Sequence, residues 1–262
     1  MRFAVATVNI VLGLAYCGYG VMTAIEMKRD WATYGFSHFG VAWIFMAFTC
    51  GPHHLDHGIH AVLGAPRAGF LDVLSVVVGL PVGVIWLALR VEAFMGGRGD
   101  RFVEGTPGWL LAVPTVAAVY VTALVAAALD IPGGLRFDFL ILANVLLVGL
   151  YMAIGWVLLR TQLQNREPMG GWSLSGLTLT AVFPTCALMH AVLAVYTLRG
   201  FYDTEAHGLI IDWLSVPASI YFLWVVRGLY RESLQDWNSV AGDLDGPLVP
   251  APARGELIQR AS

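Results

Sequence analysis

The chain has 262 residues, 58% of them hydrophobic and only 13% charged, with a mean hydropathy of +0.70. So little polar surface excludes a soluble globule of this size and defines an integral membrane protein, here read as one of a bacterial plasma membrane. A net charge of −3 without a basic patch gives no reason to expect a nucleic-acid partner.

Seven apolar stretches are long enough to cross a hydrocarbon core of roughly 30 Å: residues 3–25, 36–63, 70–89, 109–129, 137–159, 172–198 and 208–226. No ten-residue alternation suggests a barrel, so all seven are predicted as helices, an all-α architecture. Charged breaks separate them, as in Glu26-Met27-Lys28-Arg29-Asp30 and Asn165-Arg166-Glu167-Pro168. In the first stretch, Leu14-Ala15-Tyr16-Cys17 resembles a lipoprotein cleavage site, but Tyr16 stands where a small residue is required. That stretch is therefore expected to remain as a helix. The three cysteines, Cys17, Cys50 and Cys186, all lie in apolar stretches and imply no extracellular disulfide framework.

The second stretch carries Thr49-Cys50-Gly51-Pro52-His53-His54, and the sixth carries Thr185-Cys186-Ala187-Leu188-Met189-His190. Both read Thr-Cys-x-x-x-His, which sets Cys and His one helical turn apart on one face. Collinear matches surround them: Asn9, Tyr16 and Gly20 answer Asn144, Tyr151 and Gly155. Ser37, Gly40 and Gly64 answer Ser173, Gly176 and Gly200, and Asp72-Val73-Leu74-Ser75-Val76 answers Asp212-Trp213-Leu214-Ser215-Val216. Polar identities are scarce in membrane helices, so they argue for a duplicated three-helix unit.

The expected organisation is 3+1+3: a first repeat over 1–93, a linking segment with the fourth helix over 94–134, a second repeat over 135–238, and a disordered tail over 239–262. The single linking helix gives the two repeats the same orientation, as parallel halves. Eleven of the fifteen Lys and Arg residues fall on one side of the predicted membrane, including Lys28, Arg90, Arg160 and the tail. Arg2, Arg67, Arg136 and Arg199 fall on the other. The positive-inside rule then sets the N-terminus outside and the C-terminus in the cytoplasm.

The second stretch also holds His57 and His60, giving four histidines within eight residues. At 100° per residue, Cys50, His53, His54, His57 and His60 fall in an arc of about 120°. Such clustering, facing His190 and Cys186 at matched depth, suits a transition metal, copper or zinc, reached from the outside. Asp56, Asp72 and Asp212 are candidates to orient an imidazole, and Asn9 and Asn144 to bond across helices or line a path. Metal-assisted hydrolysis and redox chemistry both remain open, as does enzyme status.

Two other classes stand beside this one. His54 and His190 are also suited to bind one haem b from opposite faces, with Gly51, Gly58, Ala187 and Ala194 leaving room for the ring. The 3+1+3 layout resembles sugar transporters of the SWEET type, although their Pro-Gln motif is missing, and a small-solute transporter would use Asn9, Asn144, Asp72 and Asp212 as its lining. Beyond the lipid bilayer, the partners implied are a metal donor, a redox partner or a small-molecule ligand on the outer side. Trp31, Trp109, Trp172 and Trp237 sit at stretch ends and read as interface anchors.

Overall fold

The computed structural model describes residues 2–63, 70–105, 108–129, 139–199 and 206–243. They form seven helices: α1 (Arg2–Tyr34), α2 (His38–Leu63), α3 (Phe70–Phe94), α4 (Gly108–Leu129), α5 (Phe139–Asn165), α6 (Leu174–Leu198) and α7 (Ala206–Asp243). Two-residue strands β1 (Phe102–Val103) and β2 (Trp172–Ser173) pair antiparallel, Phe102 opposite Ser173. Five helices are long and apolar enough to cross a membrane: α1, α3, α5, α6 and the Ile210–Ser233 part of α7. In α2, five histidines and Asp56 dilute the apolar average, and α4 offers the shorter apolar segment Thr115–Leu124.

Several helices outrun their apolar stretches. The Glu26–Asp30 break is helical, because nothing before Gly35 disfavours the helix; Gly35 adopts φ 68° and donates to Trp31 O at 2.9 Å, closing α1. At the other end of the chain α7 continues to Asp243, five residues into the segment expected as tail. Residues 244–262, like Gly64, Gly200, Arg67 and Arg136, lie outside the described residues.

The helices α2 and α6 begin alike. Ser37 Oγ accepts from Gly40 N at 3.1 Å, and Ser173 Oγ accepts from Gly176 N at 2.9 Å, each satisfying an otherwise orphaned first-turn donor. Asp100 braces the second start, accepting from Ser173 Oγ at 2.6 Å and from Ser175 N at 2.8 Å. This docking buries Trp172 to 1% exposure beneath the Arg166 guanidinium, so Trp172 is a core residue and not an interface anchor. Trp31 stays exposed, as an anchor requires; the side chains of Trp109 and Trp237 lie outside the described residues.

Helix pairs α1–α2 and α5–α6 form the two most extensive packings among the described residues. Between α1 and α2, a Cβ on Gly51 would lie 2.6 Å from Cys17 Sγ and 3.1 Å from Gly13 O, so only glycine permits this approach. The helix α3 packs against α1 and α6, and α7 against α5 and α2, so each third helix bridges from one pair to the other. The core between them is aromatic and aliphatic, with Tyr19, Tyr151, Phe183, Phe222, Leu147 and Ile154 fully buried. Outward faces carry large apolar residues such as Phe45, Phe48, Ile85, Trp156 and Trp224, the surface a bilayer requires.

Candidate metal centre

Pro52 and Pro184 lie within α2 and α6, each without a backbone N–H to continue the helix ladder. Nearby, Thr49 Oγ1 donates to Phe45 O and Met46 O at 3.0 and 3.1 Å, and Thr185 Oγ1 donates to Ala181 O and Val182 O at 3.1 and 2.8 Å. One turn onward the imidazoles begin. His53, His54 and His190 are buried, together with Asp212, Asn9 and Asn144.

Two of these imidazoles, His54 and His190, are held at Nδ1 by an amide. Asn9 Nδ2 donates to Val5 O at 2.9 Å, turning its Oδ1 toward His54 Nδ1 at 2.7 Å. Asn144 Nδ2 donates to Leu140 O at 2.9 Å, turning its Oδ1 toward His190 Nδ1 at 2.6 Å. An amide oxygen only accepts, so both Nδ1 atoms carry the proton and both Nε2 atoms the lone pair. His53 Nδ1 lies 2.8 Å from Asp212 Oδ1, close enough for the two to share one ion. Asn144 Nδ2 also donates to Asp212 Oδ2 at 2.7 Å, so one amide fixes both a histidine and the carboxylate.

A ring nitrogen of His53, a ring nitrogen of His190 and an oxygen of Asp212 all lie within 4.8 Å of one another. The rings of His53 and His190 stand 4.8 Å apart between centroids. His54 lies beside them, 6.2 Å from His53 between centroids and stacked on Tyr16 at 5.4 Å, with an interplanar angle of 14°. The Nε2 atoms of His53 and His54 are buried without a hydrogen-bond partner. In hydrocarbon an unsatisfied polar atom costs several kcal/mol, so such atoms call for a ligand.

The other expected residues are distributed around this group. His60 turns back along its own helix, its Nδ1 2.9 Å from Asp56 O and 3.4 Å from Asp56 Oδ1. His57 is half-buried on the same helix, and Asp72 is buried in the first turn of α3; neither belongs to the converging group. Cys50 and Cys186 are buried one turn before the imidazoles, and Tyr residues of the opposite pair meet them. Tyr151 OH lies 3.2 Å from Cys50 Sγ, and Tyr16 OH lies 3.4 Å from Cys186 Sγ. These tyrosines escaped selection as site residues, although their equivalence was visible in the matching Asn-to-Gly segments.

The cavity touching His54, beside Leu12, Ser75 and Met189, measures about 10 Å³, room for a single water. Pockets for large organic ligands run to roughly 300 Å³ or more, so nothing here favours a macrocycle. The class so defined is an all-helical protein with membrane-span-like helices around a buried His-His-Asp group. Comparison with protein families, curated proteins and solved structures found no match to this chain.

Proposed function

We propose that this protein is a membrane-embedded metalloprotein holding one divalent transition-metal ion on His53, His190 and Asp212. The carrying observation is their convergence within 4.8 Å in a buried setting where Asn144 already holds Nδ1 of His190. Fixing Nδ1 by a carboxylate or amide orients an imidazole and raises its basicity as a ligand. Two imidazoles and one carboxylate favour zinc, with copper as the second choice, and three protein donors leave a coordination position open. An open zinc position is the arrangement of metal-assisted hydrolysis, in which the ion polarises a bound oxygen.

Metal analysis of protein purified in detergent without chelators tests this. About one ion per chain is expected, and His190→Ala should lose it while remaining monodisperse and membrane-inserted. Wild-type protein that retains no metal after zinc loading and dialysis, or a His190→Ala protein with equal content, overturns the assignment.

We also infer that residues 1–93 and 135–238 are parallel copies of one unit. Four matched contacts support this reading: the Ser–Gly caps, the Thr back-bonds, the Asn–His pairs and the crossed Tyr–Cys contacts. The basic-residue distribution supports an external N-terminus and a cytoplasmic C-terminus. A phosphatase fused after Ser262 should be inactive, and activity there reverses the orientation.

A further inference from the structure

One turn from the imidazoles lies a second group of donors with different chemistry. A cavity of about 10 Å³ is bounded by Met46, Cys50 and Cys186 together with Tyr16, Trp43 and Phe183. The two thiols come from α2 and α6, and both residues line this one cavity. Met46 is 2% exposed and belongs to the same buried cluster. Three sulfur-bearing side chains line one water-sized cavity, with no carboxylate or imidazole residue among its walls, and offer a soft donor set.

We propose that Cys50, Cys186 and Met46 constitute a cuprous-ion site, separate from the His53–His190–Asp212 group. Thiolate and thioether donors select monovalent copper over hard cations, and monovalent copper accepts two or three donors, the number available. On binding, each thiol loses its proton to solvent and forms one S–Cu bond, and copper stays in the +1 state. The complex then carries one negative charge, which in hydrocarbon demands donors. Tyr151 OH at 3.2 Å from Cys50 Sγ and Tyr16 OH at 3.4 Å from Cys186 Sγ supply one O–H each.

An entry route adjoins the site. Trp43 lines this cavity and also a cleft of about 350 Å³ that holds Glu26, Asp30 and Arg90. Its indole therefore forms the partition between a charged vestibule and the sulfur donors. In this cleft Glu26 pairs with Arg90, and Asp30 pairs with Arg29.

The test uses the reduced full-length protein in detergent, titrated anaerobically with cuprous ion held by a coloured chelator. The wild type should withdraw one equivalent and show copper–sulfur scattering in X-ray absorption. The Cys50→Ser/Cys186→Ser protein should withdraw none, Met46→Leu should bind more weakly, and Tyr16→Phe or Tyr151→Phe should each lose about 10-fold in affinity. His190→Ala should keep its cuprous equivalent even where divalent metal is lost, which separates this site from the imidazole group. No uptake by the wild type, nitrogen-only scattering, or equal uptake by the double serine protein overturns the proposal. The wild-type scattering and Met46→Leu decide the matter if the double serine protein fails to fold.

Discussion

Asn9–His54 and Asn144–His190 have nearly the same local geometry, with amide–imidazole distances of 2.7 and 2.6 Å and the same backbone anchor four residues earlier. Their surroundings differ. Asn144 also binds Asp212, which faces His53, whereas His54 rests on the flat face of Tyr16. A buried polar pair alone does not make a site; a carboxylate that closes the circuit between helices does. The position matching Asp212 in the first three helices, Asp72, is equally buried but stands outside the converging group.

The largest effect that sharpens this comparison is expected from Asp212→Asn. Removing the carboxylate's charge should abolish divalent binding measured by equilibrium dialysis; retained affinity would make the two halves equivalent after all. Asn144→Ala should follow, weakening the metal by about 10–100-fold because it releases both His190 and Asp212. Asn9→Ala should instead act on folding, costing about 1–3 kcal/mol in detergent-based unfolding by leaving His54 Nδ1 unpaired, with a much smaller change in metal affinity. Equal metal losses in the two Asn variants would break the asymmetry. Acidification should release the ion from wild type, since metal competes with protons for the imidazoles, and a pH titration of bound metal checks the direction. The smallest effect is expected from Asp72→Asn, whose metal content per folded protein should match wild type.

Much of this was legible in the sequence because polar residues in a membrane helix are informative. The Thr-Cys-x-x-x-His strings pointed to α2 and α6, and the match of Asp72 with Asp212 drew attention to the carboxylate that lies beside His53 and His190. The strings paired His54 with His190, whereas His53 is the one grouped with it, because adjacent helical positions differ by 100° and only packing fixes the rotation. His60 fell within the predicted arc yet spends its Nδ1 on Asp56, a local bond that a helical wheel ignores. Trp172 was misread because its burial depends on the loop from Gly96 to Gly105 folding over it, a contact between distant segments. The polar ends of α1 and α7 were read as breaks because hydropathy ends where lipid ends, whereas a helix ends where its backbone is capped.

The crossed tyrosines join two levels of the molecule. Tyr16 touches Cys186 through its hydroxyl and stacks its ring on His54, and Tyr151 touches Cys50 through its hydroxyl and meets His190 edge to face. A change in either thiol therefore reaches an imidazole through one rigid aromatic side chain. Whatever free energy passes by that connection is reciprocal: occupancy among the sulfurs alters affinity at the imidazoles by the same factor as the reverse. With each tyrosine spanning from one helix pair to the other, that exchange also ties the first three helices to the last three.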